Sequence, residues 1–198
     1  MIVVISLSCA GCFHRPYQAA QRPPVSDEID YAVMRVVLDY LYADTEFNLC
    51  HVNPSGRVAF ALHTPTTNSL EDVVINTLGP DFQKWLGVRI HGDIVNEFNN
   101  RNSRTAKFSG FTANNTNIVV LPDRKDISWG LITGSDDMPS DCRGGIASYL
   151  PAYSSDMTTA IVVFICFPNC HNAPAGTYYL RKIDNVWVVQ AGKIWMYM

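Results

Sequence analysis

The segment TTAIVVFICF, residues 158–167, is the longest apolar run in the chain outside its N-terminus. It is too short to cross a membrane as a helix, which requires about 20 apolar residues. The run is rich in β-branched residues and is closed by Pro168, a residue that cannot donate a hydrogen bond to a sheet. It therefore predicts a buried strand, and the neighbouring segments decide how the sheet is completed.

Further segments have the alternating or β-branched pattern of strands. They are GRVAFALHT (56–64), NIVVLP (117–122), IASYLPAYS (146–154), TYYLRKID (177–184) and VWVVQAGKIWMYM (186–198). Asp184 and Asn185 join the last two, and both residue types favour a tight hairpin turn. The C-terminal part is therefore predicted to be a curved antiparallel sheet, and residues 128–145 are predicted to be loop.

Helical patterns dominate the earlier part of the chain. Residues 26–42 predict a helix that Ser26 or Asp27 caps. Its apolar stripe is Ile29, Val33, Val36, Val37, Tyr40 and Leu41. Further helices are predicted at 69–78, at a short segment carrying Phe82, Trp85 and Leu86, and at 91–102 with Ile94, Val95 and Phe98 inward. Residues 27–198 are thus expected to form a single α+β domain, with N-terminal helices packed on one face of the sheet.

The composition narrows the class of protein. The chain has 198 residues, of which 47% are hydrophobic and 17% are charged, as expected for a packed globular domain. Its 15 basic and 18 acidic residues give a net charge of −3, without the concentrated basic surface that phosphate binding needs. Nucleic acid is therefore not expected as a partner.

The N-terminus, MIVVISLSCAGCF, predicts export. Residues 1–7 are mostly apolar, and small residues precede Cys12, as in a bacterial lipobox. The run lacks a basic residue before it, and Cys9 stands where an aliphatic residue is usual, so an edge strand over residues 2–7 is the alternative. We interpret 1–12 as a signal or lipobox-like segment with lipidation at Cys12, and 13–26 as a Pro-rich tether. The expected location is the bacterial cell envelope, in the periplasm or anchored to the membrane.

Four cysteines remain after the lipobox: Cys50, Cys142, Cys166 and Cys170. In an exported protein they are expected to form disulfides, and four cysteines allow three connectivities. Cys166 and Cys170 are close enough in CFPNC to bridge a tight loop, which leaves Cys50 with Cys142. Zinc binding by these residues, helped by His51 or His171, is the alternative, and it is disfavoured in an oxidising compartment.

The C-terminal third carries a recognisable set of motifs. They are Gly145-Ile146-Ser148, Thr159-Ala160-Ile161-Val162-Phe164, Cys166 with Cys170, Gly176-Tyr178-Leu180-Lys182, and Trp187-Val188. In this region, residues 129–198, the chain resembles a family of uncharacterised bacterial secreted proteins and lipoproteins. The resemblance implies a secreted or lipid-anchored α+β domain whose family has no established activity. The ending is also similar to cystatin-like and nuclear-transport-factor-like folds, in which a curved sheet wraps a helix.

Two groups of residues are candidates for function. His91, Asp93, Glu97 and Arg101 recur along one predicted helix, where a carboxylate pair could bind a cation or share a proton. The favoured interpretation is an exposed stripe with an ordinary Glu97–Arg101 ion pair. The second group is aromatic and lies in the predicted sheet: Tyr149, Tyr153, Tyr178, Trp187 and Trp195. These rings are candidates for binding a partner or ligand on an open sheet face, and core packing is the alternative.

No catalytic constellation, metal site or cofactor motif emerges from the sequence. We therefore expect an exported, lipid-anchored envelope protein with a non-catalytic binding or interaction role. Its expected partners are the membrane, through the anchor, and a protein or a small apolar ligand. The alternative is a small hydrolase with its site between the 91–101 helix and the 128–145 loop. In that case, His91, Asp93 or Glu97 would meet Ser135, Asp136 or Asp137 around a pocket.

Overall fold

The computed structural model describes residues 27–43, 56–64, 80–121, 139, 141–167 and 174–196. The helices in these ranges are α1 (Asp27–Ala43), α2 (Pro80–Leu86) and α3 (Gly92–Arg101). The strands are β1 (Arg57–Ala61), β2 (Ile118–Val120), β3 (Cys142–Ser148), β4 (Ala152–Tyr153), β5 (Thr159–Phe167), β6 (Pro174–Ile183) and β7 (Val186–Met196). The predicted helix at 69–78 lies outside the described residues, and so do residues 1–26. The predicted loop over 128–145 is wrong at its end, because β3 begins at Cys142.

The fold is mixed α/β and contains one seven-stranded sheet. Six of its strands follow the order β2-β1-β3-β5-β6-β7, and β4 pairs with β5 beside them. The strands from β3 to β7 pair antiparallel, as predicted, whereas β1 runs parallel to both β2 and β3. The sheet is therefore mixed and not wholly antiparallel, because β1 joins it between strands that come much later in the chain.

The predicted turn between β6 and β7 is confirmed. Asp184 and Asn185 have φ angles of 47° and 66°, and Ile183 pairs directly with Val186 across the turn. Positive φ at both central residues is the signature of a type I′ turn, whose twist matches that of the flanking strands. The turn sets the register of the longest hairpin in the described part of the sheet.

Helix α1 packs on one face of the sheet, with a stripe slightly different from the predicted one. Val33, Val37 and Leu41 are buried as expected, but Tyr40 is 47% exposed. Met34 and Leu38 take its place in the core. In this core α1 is joined by alternate side chains of the sheet, namely Val58, Phe60, Ile146, Ala160, Val162, Phe164, Tyr178 and Leu180.

Helices α2 and α3 belong to a second core on the opposite face. Ile94 and Phe98 of α3 are fully buried there, against Ile161, Val163 and Tyr179 of the sheet. The prediction that the helices pack on a single face is therefore wrong. The physical reason is visible in β5, which is apolar at almost every position because both of its faces are covered.

Two glycines of the β6–β7 hairpin make room for aromatic rings on the α1 face. The rings of Phe164 and Tyr178 stack with their centroids 5.3 Å apart. A Cβ atom on Gly176 would lie within 3.0 Å of the Phe164 ring, and one on Gly192 would lie equally close to the Tyr178 ring. Both rings thus rest on backbone that carries no side chain.

Candidate functional site

A cleft of about 640 Å³ opens on the α3 side of the sheet, between the start of α3 and the turn from β4 to β5. Its volume is within the range of roughly 300–1,000 Å³ typical of small-molecule sites. The lining residues are mainly polar: His91, Asp93, Ser154, Ser155, Asp156, Thr158, Thr159, Tyr179 and Arg181. We call this space the α3 cleft.

The β4–β5 turn forms one wall of the cleft and is held by its own side chains. Ser154 Oγ donates to Asp156 Oδ1 at 2.6 Å, and Thr158 donates to the same oxygen from its backbone N at 3.1 Å and from Oγ1 at 2.8 Å. Ser154 Oγ also accepts from the backbone N of Thr159 at 3.0 Å. These bonds fix the turn, in which Met157 adopts a φ of 58°.

The opposite wall is tied to this turn by Asp93. One oxygen of its carboxylate accepts from the backbone N of Ile94 at 3.0 Å, and the other accepts from the backbone N of Ser155 at 2.9 Å. The side chain of His91, just before α3, makes no capping hydrogen bond to the helix. The start of α3 and the turn are therefore joined before any ligand binds, and His91 borders the space between them.

The charged side chains of the cleft differ in whether they have hydrogen-bond or ion-pair partners. The hydrogen bond from the Ser154 hydroxyl lowers the pKa of the Asp156 carboxyl below its ordinary value, and the hydrogen bonds from the hydroxyl and backbone N of Thr158 add to this effect. Asp156 therefore stays ionised and strongly hydrogen-bonded. Across the cleft, the Arg181 guanidinium is exposed and forms no ion pair among the described residues. Among the charged side chains of the lining, Arg181 is thus the one to which the structure gives no hydrogen bond or ion pair with a described residue.

A buried hydroxyl adds a polar group at the same place. Thr159 Oγ1 is shielded from solvent and has no hydrogen-bond partner in the described part of the chain. Buried hydroxyls are normally satisfied, because leaving one unpaired costs about 1–3 kcal/mol. Thr159 also lines the cleft, and its buried hydroxyl is a polar group that the bonds of the turn do not use.

A second polar cluster lies where α1, α3 and β4 meet. Arg101 forms a two-pronged ion pair with Asp30, with nitrogen–oxygen distances of 3.0 and 2.6 Å. The Tyr153 hydroxyl donates to the same carboxylate at 2.7 Å, and Arg101 also donates to the carbonyl of Pro151. We call this the Asp30–Arg101 cluster.

This cluster corrects the prediction of an exposed stripe along α3. The side chain of Arg101 is only 15% exposed and that of Asp30 only 4%. Burial alone would lower the pKa of Arg101, but the hydrogen bonds and charge of Asp30 outweigh it and raise that pKa. Burial and the Asp30 charge also raise the pKa of Tyr153 far above its ordinary value. Arg101 is therefore a structural residue turned into the protein.

The predicted aromatic candidates lie mostly in the core. Tyr149, Tyr153 and Tyr178 are fully buried and Trp187 is 7% exposed, while the side chain of Trp195 lies outside the described ones. Tyr153 contacts Trp187, and Tyr178 contacts Phe164, at centroid distances of 5.7 and 5.3 Å. The four described rings therefore pack inside the protein and form no open binding face.

Most of the other site residues predicted from the sequence lie outside the described part of the chain. No disulfide joins Cys142 and Cys166, the two cysteines among the described residues. Their predicted partners Cys50 and Cys170 lie outside those residues, as does the lipidation site Cys12. Ser135, Asp136 and Asp137, the proposed counterparts of His91 in a hydrolase, also lie outside.

Neither a metal centre nor a membrane-spanning helix is found in the described part of the chain. No group of three or more His, Cys, Asp or Glu side chains there is placed to hold a metal ion. No helix among these residues is long and apolar enough to cross a membrane. Comparison of the chain with protein-family models, with curated proteins and with solved structures finds no match.

Proposed function

We propose that this chain is an exported, lipid-anchored envelope protein with a non-catalytic binding role, and that its ligand site is the α3 cleft. The observation that carries the binding role is the cleft itself, whose polar walls are joined by the Asp93 carboxylate. Such preorganisation favours binding, because little ordering remains to be done when the ligand arrives. The ligand that fits is a small molecule with at least one polar group.

A non-catalytic role is favoured by how the serine of the cleft is bonded. Ser154 donates a hydrogen bond to Asp156, whose pKa is held low. A general base works best when its pKa lies near the working pH, and a strongly hydrogen-bonded carboxylate of low pKa is a poor one. Ser154 thus serves the turn, and its hydroxyl is not prepared for attack on a substrate.

The binding role can be tested by nuclear magnetic resonance with a set of small polar probe molecules. We expect chemical-shift changes confined to amides of the cleft, such as those of Thr158 and Arg181. Replacing Ser155 by tryptophan should fill the cleft and abolish these changes. The matched control is Thr105→Trp, at an exposed position outside the cleft lining, which should leave them intact. Shift changes that persist in Ser155→Trp would place the site elsewhere.

Export and anchoring rest on the N-terminal sequence, in which Ala10, Gly11 and Cys12 resemble the end of a lipobox. Expression in a bacterial host, followed by fractionation and intact mass, tests this proposal. We expect a membrane-associated product whose mass shows cleavage before Cys12 with added lipid, and a Cys12→Ser variant without it. The same mass measurement after thiol labelling reports whether the predicted Cys166–Cys170 and Cys50–Cys142 disulfides form.

A small hydrolase with its site between the 91–101 helix and the 128–145 loop is a second candidate, because His91 and Asp93 line a cleft. If the cleft hydrolyses esters, the purified protein should release nitrophenol from short nitrophenyl esters faster than an Ala variant at His91. A rate equal in the two proteins would remove this candidate.

The finer architecture also remains a proposal. We propose that helix α1 lies on a curved C-terminal part of the sheet, in a cystatin-like or nuclear-transport-factor-like arrangement. It is supported by α1, which packs across the antiparallel strands β5, β6 and β7. An experimental structure of the mature protein, with the sheet curvature measured at β6 and β7, tests it.

A further inference from the structure

The β6–β7 hairpin continues the floor of the α3 cleft as an apolar surface. Ile183, Val186 and Val188 are 47%, 60% and 37% exposed, which is unusual for a group of neighbouring aliphatic side chains in a strand. Single exposed apolar residues need no explanation, but clustered ones next to a cleft indicate a binding surface. We call these three residues the hairpin strip.

The register places the hairpin strip on the same side of the sheet as the cleft. Side chains alternate along β6, so Tyr179, Arg181 and Ile183 share one face, and Tyr179 packs in the core beneath α3. Val188 pairs with Arg181, and Val186 pairs with Ile183. Directly opposed residues have Cβ atoms roughly 5 Å apart. The strip therefore begins at Arg181 and extends to the hairpin turn.

The Arg181 guanidinium offers a place for an anionic group at the cleft end of this surface. Arg181 is exposed there without an ion-pair partner among the described residues, while donors already surround the carboxylates of Asp93 and Asp156. A guanidinium is well shaped to bind a carboxylate through two parallel hydrogen bonds. The neighbouring Lys182 does not compete, because it faces the other side, with Nζ 5.7 Å from the centroid of the Trp187 ring.

The body of the ligand must suit a surface made only of side chains. A sheet face presents no backbone N–H or C=O groups, since these point along the sheet to neighbouring strands. A peptide laid on the hairpin strip would leave its own backbone groups without protein partners there. A hydrocarbon chain has no polar groups and needs no hydrogen-bond partners. From Arg181 to Ile183 the surface is about 7 Å long at the usual rise of a strand.

We propose that the ligand of the α3 cleft is a single-chain carboxylate amphiphile. Its carboxylate pairs with Arg181, and its hydrocarbon chain lies along Ile183, Val186 and Val188. This inference rests on the proposed binding function, because it uses the same cleft, and it adds the chemical class of the ligand.

The test is a calorimetric titration with straight-chain carboxylates from butanoate to decanoate, and with decanol as the uncharged counterpart. Burying one methylene fully strengthens binding about fourfold, so a chain that is covered on one side should gain about twofold per methylene over the length of the strip and level off once it extends past the hairpin turn. Decanoate should bind at least tenfold more tightly than decanol, since a hydrogen bond to a charged group contributes roughly 1.5–3 kcal/mol.

Three variants assign the two halves of the site. Arg181→Gln should weaken decanoate binding at least tenfold and leave decanol unchanged. The double variant Val186→Ser/Val188→Ser should remove the dependence on chain length. Lys182→Gln, on the same strand but the opposite face, is the matched control and should bind decanoate like the unaltered protein. All these side chains are exposed, so folding should be preserved, and a urea unfolding curve for each variant checks this.

The outcomes separate the inference from the proposed function. If small polar probes bind the cleft but affinity does not change with chain length, the inference is wrong and the binding function stands. Decanol binding as tightly as decanoate would overturn the role of Arg181. Tighter binding by a short apolar peptide than by decanoate would overturn the assignment of a hydrocarbon chain. If no probe perturbs the cleft, the proposed function fails as well.

Discussion

Replacing Arg101 by methionine should strongly destabilise the protein. The change leaves the Asp30 carboxylate buried, with the Tyr153 hydroxyl as the side-chain donor that the structure gives it. Removing one partner of a buried ion pair costs roughly 3–5 kcal/mol, because the remaining charge loses both its partner and water. Arg101 keeps 15% of its side chain exposed, so we expect the low end, about 3 kcal/mol. Domains are stable by roughly 5–15 kcal/mol, and the variant should therefore still fold.

Equilibrium unfolding in urea measures this loss. With slopes of roughly 1–3 kcal/mol per molar urea, a loss of about 3 kcal/mol moves the midpoint down by about 1–3 M. Arg104→Met is the matched control, because Arg104 is exposed just beyond the end of the same helix. A change at such a surface position should stay within about 0.5 kcal/mol.

A double variant separates the charge effect from lost packing. Asp30→Asn/Arg101→Met removes both charges while the Asn oxygen can still accept from Tyr153. If the buried carboxylate is the cause, the double variant should be at least about 1 kcal/mol more stable than Arg101→Met alone. A loss below about 1 kcal/mol in the single variant, or a double variant less stable than the single, would refute the reasoning.

Three further predictions follow from local features. Gly192→Ala should lower the free energy of unfolding measured in urea by about 1–3 kcal/mol, because the new Cβ meets the Tyr178 ring. The control Gly92→Ala has open space around the new Cβ and should not lower this free energy by more than about 0.5 kcal/mol. The free energy of unfolding should fall as pH rises above about 10, since burial raises the pKa of Tyr153 in the folded state only. Tyr153→Phe should make this fall less steep in urea unfolding, and an equally steep fall in the variant would contradict the assignment to Tyr153. Asn185→Gly should keep or raise the thermal midpoint and Asn185→Val should lower it, because the turn needs a φ of 66° there; equal midpoints would argue against the type I′ turn.

Local patterns predicted much of the sheet. Strand β5 was recognisable because it is apolar at successive positions, and the β6–β7 turn because Asp184 and Asn185 tolerate positive φ. The parallel pairing of β1 with β3 was not predicted, because their residues lie more than 80 positions apart and no local pattern encodes such a partner. Met34 and Leu38 were missed because several rotations of the α1 stripe satisfy helical spacing equally well.

The candidate site was only half visible in the sequence. His91 and Asp93 were singled out by their residue types, but the turn that faces them was interpreted simply as part of the strand region. The contact that joins the two is the hydrogen bond from the Ser155 backbone to Asp93, across 62 residues of sequence. Arg101 was misjudged for a similar reason, because its counter-charge Asp30 lies 71 residues away. Long-range partners of this kind depend on the tertiary fold.

The Asp30–Arg101 cluster has a consequence for how the molecule opens. Helix α1 and helix α3 belong to cores on opposite faces of the sheet, and this cluster connects them at the end where β4 lies. Two layers on separate faces could each exchange their amide hydrogens by opening alone. Because either layer must first break the shared ion pair, amides in the two helices should exchange with one common free energy of opening. The sheet and both its layers would then form a single cooperative unit.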